Sequence, residues 1–309
     1  MRSDKTEKRK GRGRNADAPA GRKKCPSDGK EEAGRKGANR TKEQTVSRGR
    51  HPTGRRRKRC LIDRLTIPLI VIAVFMLVFS GMKMAGIMNG YHDVDEANKA
   101  AERIAGKGNA EDEGKTNKQE ADPMERTINF ASLRKVNGDV IAWIYIPGTA
   151  VNYPVMKGDP GNYYLHRNWK RQKSFGGAIF MDSVNSYGFT DDNTIVYGHN
   201  MKNGSQFGTL IRFLDGKFFE SHPYVYVYTP ERTIRYRTYA FDIIDERSPL
   251  YASVIDDYPQ YVKTVTRSAR HSRRPPDEKT PLLMLSTCHG KSETKRRVLF
   301  AGQDAVRER

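Results

Sequence analysis

YVYVYTPERTIRYRTYAF, residues 224–241, carries two runs of alternating side-chain character on either side of Pro230. A period of two puts successive side chains on opposite faces of an extended chain, so each run reads as a half-buried β-strand. Six more runs rich in β-branched and aromatic residues, at 140–146, 151–156, 177–181, 194–197, 282–287 and 298–302, are separated by Gly, Pro, Asn and Asp. Together with 224–229 and 233–244 they make eight expected strands and a mainly β domain. Helices are expected at 124–135, where Ile128, Leu133 and Val136 fall near helical spacing, at 206–213 and at 254–269. The stretch ARHSRRPPDEKTP, 269–281, reads as a polar loop.

Outward from this domain towards the N-terminus the chain changes character. Of 309 residues 36% are hydrophobic and 30% charged, which allows a core but not a core throughout. The net charge of +20 sits at one end: residues 1–60 hold 22 of the 56 Lys and Arg and 7 of the 36 Asp and Glu. With almost no aliphatic residue, 1–60 reads as a disordered basic tail. Its cluster Arg55, Arg56, Arg57, Lys58 and Arg59 is suited to a polyanion, but the nearly balanced remainder argues against a nucleic-acid partner for the protein as a whole.

LTIPLIVIAVFMLVFSGM, 65–82, follows without a charged residue. At about 1.5 Å per residue it covers about 27 Å, enough to span a bilayer as a single transmembrane anchor. The positive cluster precedes it and Asp93, Asp95 and Glu96 follow, which sets the N-terminus inside and the domain outside. Residues 83–123 then read as an extracytoplasmic stalk, with a short polar helix at 91–104 and the charged linker GKGNAEDEGKTNKQEADP before a catalytic domain at 124–309.

With that topology Cys25 and Cys60 lie inside and Cys288 is the one outer thiol. It ends the apolar run PLLMLSTC, where a strand leaves the sheet. A thiol becomes a useful nucleophile beside a base or cation. His199, in the turn YGHNMKNG after the strand at 194–197, is the candidate base. His289 adjoins the thiol but should face the other way, and His166, His222 and His271 have no further support. KRRVLFAG places Arg296 and Arg297 before the last strand, and alternation lets only one of the pair face the thiol. No clustered His, Cys and carboxylate spacing suggests a metal, and no cofactor is expected.

NTIVYGHN, LLMLSTC and SETKRRVLF resemble, in that order, the histidine, cysteine and arginine strands of a class B sortase. DVIAWIYIPGTAVNYPVMKGDPGNYYLHRNW and GGAIFMD resemble it as well, so that the likeness covers about 124–305. The resemblance implies a closed eight-stranded sortase-type β-barrel with an N-terminal helix and a helix between the sixth and seventh strands. It implies Cys288 as nucleophile, His199 as general acid/base and Arg297 as oxyanion stabiliser, with Arg296 its rival, and Ser286 and Thr287 as substrate-lining residues. The implied activity is transpeptidation by a membrane protein of Gram-positive bacteria. A surface protein is cleaved at a C-terminal sorting motif through a thioester, and the acyl group passes to an amine of peptidoglycan or to a pilin lysine. The alternatives are a secreted cysteine hydrolase, an L,D-transpeptidase, whose Ser-x-Gly-Cys arrangement differs from the STC found here, and a membrane-tethered polyanion-binding protein.

Overall fold

In the computed structural model the alternating runs at 224–241 form a hairpin whose two strands close the sheet on itself. The structure describes residues 61–106, 122–158, 163–288, 290, 292 and 294–309. The basic tail with Cys25 and Cys60, the linker 107–121 and His289 lie outside the described residues.

The strands are β1 (Val140–Tyr145), β2 (Asn152–Met156), β3 (Ile179–Met181), β4 (Asn193–Tyr197), β5 (Tyr224–Tyr228), β6 (Arg232–Asp245), β7 (His271–Ser272), β8 (Leu282–Cys288) and β9 (Lys295–Glu308). They follow the order β5-β1-β2-β3-β4-β8-β9-β6, and β6 pairs back onto β5, so the eight long strands form a closed barrel. Closure leaves the barrel without free edges. The two-residue β7, inside the stretch expected as a loop, adds to β6 at Ala240 and Phe241.

β8 explains why LLMLSTC shows no alternation. Leu283 and Leu285 point into the barrel with Phe207, Phe213 and Leu299. Leu282 and Met284 pack on the other face beneath α4 (Tyr258–Ser268), against Val262 and Val265. Both faces are covered, so both are apolar. α4 starts later than the expected 254, because the Asp257 side chain accepts from the Gln260 N–H and Pro259 occupies the first turn.

Three other elements differ from expectation for local reasons. The opening helix begins at Phe130, not 124, because Asn129 caps it by accepting from the Ser132 N–H at 2.9 Å; this is α2 (Phe130–Val136). The region expected as a helix at 206–213 is a 3-10 turn (Gly208–Leu214), followed by α3 (Gly216–Ser221), capped by Asp215. β9 runs on to Glu308 along β6, although its last residues are largely exposed and carry no apolar alternation.

α1 (Leu61–Gly106) is one continuous helix of 46 residues. Its first half contains the apolar stretch, which is exposed and long enough to cross a membrane. Its last part, read from sequence as stalk, packs on the barrel: Val94, Ala97, Ala101 and Ala105 are buried. The Trp169 indole N–H donates to the Ala97 carbonyl at 2.6 Å, and the Asn129 N–H donates to that of Ala105 at 3.1 Å.

Candidate active site

Strand register alone brings His199 and Cys288 together. β4 and β8 run parallel with Tyr197 opposite Ser286, and the Gly198 N–H donates to the Ser286 carbonyl at 3.2 Å. Each chain then continues by two residues, one to His199 and the other to Cys288. A step of two returns a side chain to the same face, so Tyr197, His199, Ser286 and Cys288 line one cleft of about 490 Å³. Thr287 also borders it, and Cys288 is exposed at its edge.

A second register places the arginines. β8 and β9 are antiparallel with Cys288 opposite Arg296 and Thr287 opposite Arg297. Directly opposed residues share a face. Arg296 therefore lines the cleft, where its guanidinium donates to the Glu246 carboxylate. Arg297 lies on the barrel-interior face and is only 4% exposed. From there its Nη1 donates to the Cys288 carbonyl at 3.3 Å, while its buried Nε has no partner among the described residues. Burial pulls the Arg297 guanidinium below its usual range, and the charge of Cys288 opposes that shift.

His199 is held by its surroundings. Its Nε2 stands 2.6 Å from the carbonyl of Leu165. A carbonyl can only accept, so Nε2 carries the proton and Nδ1 is left as the basic atom. Burial pushes the imidazole below the ordinary histidine value; the Leu165 hydrogen bond works against this and the His166 charge adds to it. Burial thus favours the neutral ring. Gly177 makes this approach feasible: its φ is +55°, and a Cβ there would stand 2.7 Å from the Leu165 carbonyl and 2.9 Å from His199 Cδ2.

The cleft also has walls that the sequence did not signal. Tyr251, in a 3-10 turn after β6, shares a 2.7 Å hydrogen bond with Ser286 Oγ. Its ring stacks on that of Tyr197 at 6.5 Å and 11°. Burial pushes the Tyr251 phenol up to about 12. The Tyr197 hydroxyl donates to Asp182 at 2.8 Å. Tyr197 was within reach of sequence, being two residues before His199 at the end of β4, and Asp182 ends the GGAIFMD stretch; Tyr251 and Glu246 sit in turns without a motif.

A thiol at a strand end, an imidazole on the same face whose neutral form burial favours, and a guanidinium against the thiol's own backbone are an arrangement suited to nucleophilic catalysis. Comparison with known proteins identifies the family. The family model described as the sortase domain matches residues 144–305. The chain is 34% identical over 180 residues to sortase B of Listeria monocytogenes, covering 55% of this chain and 72% of that protein. It is 31% identical over 184 residues to sortase B of Staphylococcus aureus, covering 56% and 73%. Among solved structures, the Staphylococcus aureus sortase B–substrate complex matches with a TM-score of 0.53 and 28% identity, over 57% of this chain and 84% of that one. A sortase B complexed with triglycine matches with a TM-score of 0.53 and 27% identity, over 58% and 85%.

The chain belongs to the sortase family of cysteine transpeptidases. Within that family it is a class B sortase, and its barrel is the sortase fold.

Proposed function

We propose that this sortase is held in the membrane by α1 and transfers surface proteins, cut at a C-terminal sorting motif, to an amine outside the cell. The observation that supports the reading is the parallel register of β4 on β8, with His199 and Cys288 each two residues beyond the paired Tyr197 and Ser286 and both lining one cleft.

In the first step the Cys288 sulfur bonds to the carbonyl carbon of a threonine in the motif, and its proton passes to Nδ1 of His199. Arg297 and backbone donors hold the oxyanion. Collapse of the intermediate breaks the peptide bond, and His199 returns the proton to the leaving amine. An amine of peptidoglycan, or a lysine on another pilin subunit, then attacks the thioester and loses its proton to His199, which frees the thiol. Support for an amine as acceptor comes from the sortase B complexed with triglycine, since such a peptide carries a terminal amine. Ser286, held by Tyr251, and Thr287 line the substrate's path.

The apolar stretch of α1 and the basic cluster before it support an anchor with its N-terminus inside. The reading predicts that Cys288→Ala abolishes transpeptidation to a supplied amine. His199→Ala should lower kcat by about 10²–10⁴, the range for losing a general acid/base. His289→Ala should remain near wild type. Near-normal turnover by the His199 variant, with failure of the His289 variant, would make His289 the base.

A further inference from the structure

The carbonyl that fixes the His199 tautomer belongs to a segment, 163–178, that is packed between α1 and the histidine. On the α1 side a Cβ at Gly176 would stand 2.6 Å from Val94 Cγ2, and one at Gly90 would stand 2.6 Å from the Phe175 ring. The Tyr91 and Phe175 rings meet edge to face at 5.2 Å, and the Trp169 indole is bonded to the Ala97 carbonyl. On the other side Gly177 lies against His199 Cδ2, and Leu165 accepts from Nε2. The Gln206 side chain donates to the Gly177 carbonyl at 3.3 Å, and the Ala178 N–H donates to that of Tyr164 at 3.0 Å. Gly176 faces the helix and Gly177, the next residue, faces the catalytic ring. Val94 is 2% exposed, and Met201, two residues beyond His199, also borders Gly176.

We infer that Val94 of α1 is a positioning residue for His199, acting through Gly176 and Gly177 on the Leu165 carbonyl that keeps the proton on Nε2. The inference rests on the reading of His199 as acid/base. Close-packed interiors transmit strain, and misplacement of a catalytic group by about 1 Å is enough to cost about 100-fold in rate. The helix that carries the membrane anchor is by this account also part of the catalytic apparatus. The cleft around His199 also holds Cys288, Asp182, Glu246 and Arg296, and the His166 ring centroid lies 6.5 Å away. Burial acts most strongly on the imidazole, followed by the Leu165 hydrogen bond and then His166.

The test uses the full chain in detergent micelles with ring-labelled histidine, comparing wild type, Val94→Ala and Ala101→Gly. Ala101 is on the same docked face of α1, about 10 Å further along the helix from Val94, so its variant loosens the helix without removing the Val94–Gly176 contact. Val94→Ala should bring Nδ1-protonated His199 into the nitrogen spectrum and raise its pKa towards the ordinary value. It should lower kcat by about 10- to 100-fold with KM little changed. Ala101→Gly should lower the unfolding temperature while leaving the His199 tautomer, pKa and kcat as in wild type. If Val94→Ala unfolds the chain, Gly176→Ala probes the same contact from its other side. Wild-type tautomer, pKa and kcat in a folded Val94 or Gly176 variant would overturn the inference, as would equal changes in Ala101→Gly. A His199→Ala variant separates the two claims: if it keeps activity while Val94→Ala still shifts the His199 resonances, the acid/base reading fails and the contact stands.

Discussion

Arg296 and Arg297 leave β9 on opposite faces, and the proposed mechanism divides their work accordingly. Arg297 is buried and bonded to the Cys288 carbonyl, with its Nε unpartnered among the described residues, and the proposed mechanism gives it the oxyanion. Arg296 is paired with Glu246 on the cleft wall, where a bound peptide would touch it. Arg297→Ala should therefore lower kcat by about 10²–10³. Arg296→Ala should chiefly raise KM. Steady-state kinetics on one sorting peptide separates the two, and a larger kcat loss for Arg296→Ala would transfer the oxyanion role to it. Alternation in KRRVLFAG showed that the two arginines differ, but not which one met the thiol's backbone, because that depends on the pairing of β9 with β8. Cys288 and His199 were legible since each ends an apolar run. Leu165, which orients His199 through a backbone carbonyl, could not be read because its side chain takes no part.

Among the elements, β6 and β8 were plain in the sequence because side-chain pattern and burial coincide there, whereas β5 was plain by its alternation although it is buried on both faces from Val225 to Tyr228, not half-buried as the alternation suggests. The last residues of β9 were not. Their hydrogen bonds to β6 are backbone bonds, and their side chains are largely exposed, so the strand carries no hydrophobic signal. The docked part of α1 escaped for the opposite reason. Its buried face is made of Ala97, Ala101 and Ala105, small residues that let the helix approach closely but hardly stand out among charged neighbours. On the barrel side this face meets Phe130, Leu133 and Trp169. A chain beginning at 124 exposes that surface, whereas one beginning at 84 keeps it covered. The shorter chain should be less stable in urea by at least the roughly 1.5–3 kcal/mol that burying one large apolar side chain contributes. Equal midpoints for the two would mean that the helix only rests on the barrel.

At the scale of the whole molecule, one helix joins an apolar stretch long enough to cross a membrane to the barrel, and about twelve residues separate Met82 from the docked Val94. At about 1.5 Å per residue that is about 18 Å, so the proposed topology holds the barrel close to the outer surface. Protease added to intact protoplasts should digest the barrel and spare the basic tail; cleavage of the tail first would reverse the orientation. Removal of residues 1–58 should leave transpeptidation unchanged, since no residue of the proposed chemistry lies there.

The central claim is that Cys288 carries the acyl group, and intact-mass spectrometry tests it most directly. The full chain in micelles is incubated with sorting-motif peptides without an acceptor amine, quenched in acid and weighed. The account predicts a mass gain equal to the acyl fragment up to its threonine, mapped to Cys288, discharged by added amine and absent from Cys288→Ala. Peptide cleavage with no such adduct, or an adduct that persists in Cys288→Ala, would contradict it.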